Sequence, residues 1–215
     1  MKRRKSLARY DLLEMFDRKY LPGGTRHLAG LDEAGRGALA GPVVAAAVIL
    51  PPDSGLIGVD DSKRLSEKQR ESVFSVIVEK ALAVGIGVGH PTLIDDKNIL
   101  VATLIAMSRA ALSLRVEPSV ILVDGKDRFE SPAHVVPVVG GDRHSLSVAA
   151  ASIIAKVARD RMMRRLHEKH PAYNFLSNKG YGTREHLEAI ERLGMTDVHR
   201  KSYRVKTVEK TPRLF

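Results

Sequence analysis

The segment Leu28-Ala-Gly-Leu-Asp-Glu-Ala-Gly-Arg-Gly37 ends a short apolar run with two adjacent carboxylates, Asp32 and Glu33. A glycine-flanked arginine follows, then a second apolar run, Pro42-Val-Val-Ala-Ala-Ala-Val-Ile-Leu50. Acids gathered at the end of a buried strand are costly unless a cation neutralises them, so the pattern points to a divalent-metal site. Arg36 between Gly35 and Gly37 points to a backbone that approaches an anionic ligand closely. Successive strand residues face opposite sides. Both carboxylates therefore reach one metal only if the chain turns at Glu33 or if one acts from the far face. Two further acidic pairs, Asp60-Asp61 and Asp95-Asp96, read as solvated loop or helix-start acids.

Working outward, five Val-, Ile- and Ala-rich runs read as strands: 28–32, 43–50, 82–89, 119–123 and 134–139. Helical periodicity lies between them. Ser66 and Gln69 form a capping-box signature ahead of Val73, Phe74, Ile77 and Ala81. Leu100, Leu104, Met107, Ala111 and Leu114 mark a second helix, and Leu146, Ala150, Ile153, Val157 and Ala158 a third that turns basic after Lys156. Thr183 caps a fourth through Leu193, ending at Gly194. Strands separated by helices define an α/β chain. The short 28–50 connection adds an antiparallel hairpin, so the sheet is mixed. The last ~60 residues lack strand pattern and read as a helical appendage. Gly85-Ile-Gly-Val-Gly89 has the wrong spacing for a dinucleotide loop and reads as strand.

Composition narrows the chemistry. With 215 residues the chain buries a real core, and with no cysteine it has neither disulfides nor thiolate chemistry. No apolar run is long enough to span a membrane, and Asp11, Glu14 and Asp17 interrupt what would be the apolar stretch of a signal peptide. A cytoplasmic, monomeric protein is expected. Net charge is uneven: residues 1–27 carry 8 basic and 3 acidic side chains, 28–155 carry 12 and 15, and 156–215 carry 15 and 7. Basic ends around an acidic middle suit a polyanion held over a metal site.

Asp124 ends the run Val120-Ile-Leu-Val-Asp-Gly125, a second carboxylate where open α/β sheets place their sites. Asp142 precedes the third helix. Asp160, flanked by Arg159 and Arg161, is the rival fourth acid and reads as part of a solvated charge cluster. Ser152 and Lys156 stand one helical turn apart, and mid-helix packing with a surface lysine is the expected reading.

The chain resembles the ribonuclease HII, or type 2 ribonuclease H, family. The words that carry the resemblance are Leu31-Asp-Glu-Ala-Gly-Arg-Gly37 with Leu39-Ala-Gly-Pro-Val43, Asp61-Ser-Lys-Arg-Leu-Ser-Glu-Lys68, Asn98-Ile-Leu-Val-Ala-Thr103, and Leu122-Val-Asp-Gly125. Gly141-Asp142, Ser147-Val-Ala-Ala-Ala-Ser-Ile-Ile-Ala-Lys-Val157, Lys179-Gly-Tyr-Gly-Thr183 and His199-Arg-Lys-Ser202 complete them, covering about residues 28–204 in order. The resemblance implies a ribonuclease H-like mixed sheet flanked by helices. It divides the chain into a basic N-terminal extension (1–27), a catalytic core (28–160) and a C-terminal helical substrate-binding extension with tail (161–215). It further implies Mg²⁺- or Mn²⁺-dependent hydrolysis of RNA in RNA–DNA hybrids, and incision at single ribonucleotides in duplex DNA, leaving 5′-phosphate and 3′-hydroxyl ends.

Residue by residue, the family's catalytic, metal-binding acids fall on Asp32, Glu33, Asp124 and Asp142. Substrate contacts fall on Gly35, Arg36, Gly37, Lys63 and the junction-reading Tyr181. Ala38 and Gly182 stand where many members carry proline, and Gly182 leaves the stiffness of the Tyr181 loop open. A sliding clamp is a further partner to consider. The terminal Pro212-Arg-Leu-Phe215 resembles clamp-binding tails but lacks the expected glutamine, and a frayed basic tail is the stronger reading. The competing class is a basic, non-catalytic nucleic-acid-binding module. Such a module has no need for four acids that would repel phosphate.

Overall fold

The structure, a computed structural model, describes residues 2–21, 27–59 and 65–204, with side chains from residue 6 onward. The expectations for Lys63 and for the 212–215 tail fall outside the described residues. The elements run α1 (Lys2–Arg18), β1 (Leu28–Ala34), β2 (Val43–Ile49), α2 (Glu67–Lys80), β3 (Ala83–Gly89), α3 (Pro91–Lys97), α4 (Ile99–Leu112), β4 (Val120–Asp124), β5 (His134–Val138), α5 (Leu146–Lys169), α6 (Phe175–Asn178) and α7 (Arg184–Leu193). A 3-10 turn, Gly141–Arg143, precedes α5.

The five strands form one sheet in the order β3-β2-β1-β4-β5. β1 pairs antiparallel with β2 and parallel with β4, and the mixed sheet expected from the hairpin is present. β2, whose seven residues are all buried, supplies both layers of core by alternation. Val43, Ala45, Ala47 and Ile49 pack with Ala102, Ala106 and Ala110 of α4, while Ala46 and Val48 pack with Ile153, Ile154 and α2's Ile77 on the other side. The helices approach very closely where the strands carry glycine. A Cβ on Gly30 would overlap the Ser147–Val148 backbone of α5, and one on Gly87 would overlap the Ala106 carbonyl of α4. The glycines of 85–89 therefore serve packing in a strand.

The Ser66–Gln69 capping box and the Thr183 cap are both formed. The helix expected around Leu100–Leu114 is preceded by a separate short helix, α3. Asn98 breaks the two with φ of 71° and caps α4 by accepting the Val101 N–H. The N-terminal stretch, read as a basic extension, forms α1 and is sewn to the core. Tyr10 and Leu13 enter the α5 layer, Asp17 Oδ2 accepts the Ser147 N–H at 2.9 Å, and Arg9 donates to the Arg143 carbonyl at 2.8 Å. α5 runs unbroken past residue 160 into a second small core of Ala40, Met163, Tyr173, Phe175, Ala189 and Ile190. Among the described residues no helix is long and apolar enough to cross a membrane.

Candidate active site

β1 and β4 lie side by side at the centre of the sheet with Leu31 opposite Val123, so Asp32 and Asp124 leave the same edge together. Asp32 is buried, receives the Glu33 N–H at 2.7 Å and is hydrogen-bonded by Ser152 of α5. Glu33 Oε1 meets Arg36 Nη1 at 3.2 Å, whereas its Oε2 is buried and accepts no hydrogen bond. β1 continues to Ala34 with Glu33 still paired to Ala45, and the chain turns only at Gly35, where φ is 95°. Of the two geometries open to adjacent strand acids, the structure takes the second: the carboxylates leave opposite faces.

Asp124 Oδ1 accepts the Gly141 N–H at 2.7 Å. That bond brings the 3-10 turn carrying the buried Asp142 to the β4 edge. Burial, then the charges of Glu33 and Asp124, raise the Asp32 carboxyl well above its usual range, against the hydrogen bonds from Ser152 and the Glu33 amide. Glu33 is also raised, by burial first; Arg36 opposes the rise and Asp124 adds to it. Among the described residues no three acidic or imidazole side chains are already gathered around one ion position. Even so, mutually repelling, desolvated carboxylates and an unbonded buried Glu33 oxygen are a donor set that suits a hard divalent cation.

The glycine–arginine–glycine loop is held from below by two arginines, neither of them exposed to solvent. Arg200 donates to the carbonyls of Gly35 (2.7 Å), Arg36 (2.7 Å) and Gly41 (3.0 Å) and to the Tyr203 hydroxyl (3.2 Å). Arg159 donates to Pro42 (2.9 Å) and Ala40 (3.2 Å), and a Cβ on Gly35 would overlap its Nε. The loop's inner carbonyls are thus turned toward the protein, while Gly37 faces open space. Arg36 lies partly exposed beside Glu33, where its charge offsets that of the acid.

Tyr181 is 38% exposed, and the Arg159 guanidinium lies 5.4 Å from its ring centroid. Its loop is firmly tied despite Gly182. The Gly180 carbonyl accepts from Leu39 (2.8 Å) and Ala40 (3.2 Å), Asn178 accepts from Gly180 N–H (2.8 Å), and His186 Nδ1 lies 2.9 Å from the Tyr181 carbonyl.

The solvated cluster expected around Asp160 is not what the structure shows. Arg159 and Asp160 are both buried, Asp160 is paired with Lys156 at 2.5 Å, and Arg70 of α2 lies at 4.0 Å. The helix rotates them inward. Val148, Ser152, Ala155, Arg159 and Met163 recur every three to four residues on the buried face of α5, and that spacing was the available signal. The same stripe explains Ser152, which is a partner of Asp32 as well as a packing residue.

Sheet order, helix layers and the acids at the β1 and β4 ends define a ribonuclease H-like fold. A model of the ribonuclease HII family matches residues 29–206. Ribonuclease HII of Syntrophus aciditrophicus is 50% identical over 197 residues, covering 92% of this chain and 93% of its own. That of Pelobacter propionicus is 53% identical over 194 residues, covering 90% and 88%. Among solved structures, the ribonuclease H2 from Pyrococcus horikoshii OT3 matches with a TM-score of 0.73 at 28% identity, over 84% of this chain and 95% of that one. RNase HII in its complex with PCNA from Archaeoglobus fulgidus matches at 0.74 and 27%, over 85% and 98%. The chain belongs to the ribonuclease HII family. It is an endoribonuclease of the ribonuclease H type acting on RNA–DNA, and its family depends on a divalent metal.

Proposed function

We propose that this enzyme cleaves the RNA strand of RNA–DNA hybrids and also incises duplex DNA at single embedded ribonucleotides, leaving 5′-phosphate and 3′-hydroxyl ends. The observation that carries the reading is that Asp32 and Asp124 leave adjacent strand ends side by side, with Glu33 close enough to add its charge to theirs and carrying a buried oxygen that no donor satisfies. Asp32, Glu33, Asp124 and Asp142 would hold Mg²⁺ or Mn²⁺. When bound, the metal supplies Lewis-acid chemistry, neutralising phosphate charge and activating water.

The protein's own part is positioning. Arg36 favours the ionised form of Glu33 against its burial, Ser152 and the Glu33 amide do so for Asp32, and the Gly141 amide fixes Asp124. Gly37, with open space where a side chain would stand, lets the ribose 2′-hydroxyl come close to backbone. The half-exposed Tyr181 ring offers a stacking surface for the sugar at the junction, and Lys63 a phosphate contact. Residues 161–215 would serve as the substrate-binding extension of the core formed by 28–160.

The PCNA complex of the archaeal neighbour makes a sliding clamp the protein partner to test, with the 212–215 tail the segment to delete. A monomer acting in the cytoplasm completes the reading. The test is cleavage of a duplex containing one ribonucleotide and of a continuous hybrid, with and without Mg²⁺ or Mn²⁺, followed by end-group analysis. Metal-dependent incision beside the ribonucleotide with a ligatable 5′-phosphate supports the proposal. Cleavage of the hybrid alone rejects its ribonucleotide half.

A further inference from the structure

We propose that the dipeptide His199-Arg200 is a strut that sets the spacing between Tyr181 and the Gly35-Arg36-Gly37 loop, with His199 acting through His186. The inference rests on the reading of Tyr181 and the glycine–arginine–glycine loop as the ribonucleotide-reading elements. Arg200 grips the loop through the Gly35, Arg36 and Gly41 carbonyls. Its neighbour His199 reaches the other way. The Thr196 backbone N–H lies 3.0 Å and the Thr196 hydroxyl 2.9 Å from His199 Nδ1. His199 Nε2 lies 3.1 Å from His186 Nε2, and His186 Nδ1 lies 2.9 Å from the Tyr181 carbonyl.

The proton positions along this chain follow from its two ends. A backbone N–H only donates, so His199 Nδ1 accepts and its hydrogen sits on Nε2. His186 Nε2 must then accept, which leaves the His186 hydrogen on Nδ1, directed at a carbonyl that only accepts. One arrangement satisfies every contact, and both rings are neutral in it. A further proton on either ring would set N–H against N–H.

The surroundings agree. Tyr173 and Phe175 enclose the pair, with ring centroids 4.9 Å and 5.7 Å from His199. The charged or titratable neighbours are His170 and Asp197, themselves 3.7 Å apart, together with the Tyr173 hydroxyl, which donates to the Gly194 carbonyl. Burial, and then the His186 and His170 charges, push His199 down to about 4, and burial also lowers His186. Tyr181 and the glycine–arginine–glycine loop are thus fixed relative to each other by two consecutive side chains. Arg159 fills the space between them, against both Gly35 and the Tyr181 ring.

The test has a spectroscopic arm and a kinetic arm, both on the full chain. ¹⁵N-correlated NMR of the imidazoles at pH 7.5 should show His199 protonated on Nε2 alone and His186 on Nδ1 alone. A charged ring, or His186 protonated on Nε2, would overturn the proposal, and this arm needs no variant to fold. In the kinetic arm, His186→Phe keeps a ring against Tyr173 and Phe175 but ends the chain. It should lower kcat/KM at a single ribonucleotide by about 3- to 10-fold, the worth of one buried hydrogen bond, and change cleavage of a long hybrid less than 2-fold. Tyr181→Ala should show the same selectivity. Selective loss in Tyr181→Ala with none in His186→Phe overturns the strut alone. Selective loss in neither overturns the reading of Tyr181, and the strut's role with it.

Discussion

Arg200→Lys isolates the geometry of the loop clamp from its charge. The guanidinium spans three carbonyls, those of Gly35, Arg36 and Gly41, and also donates to the Tyr203 hydroxyl. A lysine ammonium keeps the positive charge but gathers its donors on one nitrogen, so it cannot reproduce the planar fork. At least two of the four hydrogen bonds are lost, in a site with no exposure to solvent. Leaving a buried acceptor unsatisfied costs about 1–3 kcal/mol, so the variant should be less stable by roughly 2–5 kcal/mol. In a chain of this length that corresponds to a fall in Tm of roughly 4–20 °C. Urea unfolding gives the first quantity and thermal unfolding the second. With the loop carbonyls released, KM for a ribonucleotide-containing duplex should rise at temperatures where the variant is folded. A variant within about 0.5 kcal/mol of the parent and with unchanged KM would refute the claim that Arg200 shapes the reading loop.

Other outcomes follow from the site's electrostatics. Asp32→Asn should stabilise the metal-free protein at neutral and alkaline pH while removing turnover, because the native site holds the ionised carboxyl less well than solvent does. Parent stability without metal should accordingly fall as pH rises through the folded value of this acid, and divalent ions should restore it. If the variant melts lower than its parent in metal-free buffer, the repulsion argument fails. The histidine pair acts in the opposite direction. His199 ordinarily titrates near 6.5 and here near 4, so the unfolded chain binds more protons between those values. Its stabilising effect is fully present above about pH 6.5 and is lost toward pH 4, a difference of about 3 kcal/mol. Urea midpoints across that window should fall more steeply for the parent than for His199→Gln, and parallel curves would contradict the account. Duplex binding should also weaken with salt. With about four phosphate contacts, log affinity falls against log salt with a slope near −3.6 for B-form DNA, and a flat dependence would remove the role assigned to the basic regions.

Much of this architecture is legible from local pattern. All five strands lie where apolar runs bounded by glycine, proline or charge place them, most clearly β2 and the first five residues of β1, which are buried on both faces. The capping box at Ser66 and the cap at Thr183 are local chemistry, visible within four residues. Helix α1 escaped because its sequence mixes orientations. Leu7, Leu12 and Met15 point outward while Tyr10, Leu13 and Asp17 point inward, so no clean apolar stripe stands out among its charges. The buried arginines escaped for a different reason. Arg159 and Arg200 donate to carbonyls 117–165 residues away in the chain, and only the fold brings those acceptors to them. An arginine beside Asp160 and Arg161 reads as solvated until its helical phase is followed back to Val148 and Ser152. At the site, Asp32, Glu33 and Asp124 were readable as acids at strand ends. Asp142 depends on the long-range bond from the Gly141 amide to Asp124, and Ser152's bond to Asp32 depends on α5 lying against β1 at Gly30.

The central claim is that Asp124 belongs to a metal-dependent phosphodiesterase site. The most direct measurement is single-turnover cleavage of a duplex bearing one ribonucleotide across a Mg²⁺ titration, for the parent and for Asp124→Asn. The substitution preserves size and the acceptor for the Gly141 amide but removes a charge that a hard cation needs. Cleavage that rises with Mg²⁺ in the parent and stays at background in a folded, duplex-binding Asp124→Asn protein is the predicted result. Near-parental cleavage by that variant, or parental cleavage in chelator, would contradict the account.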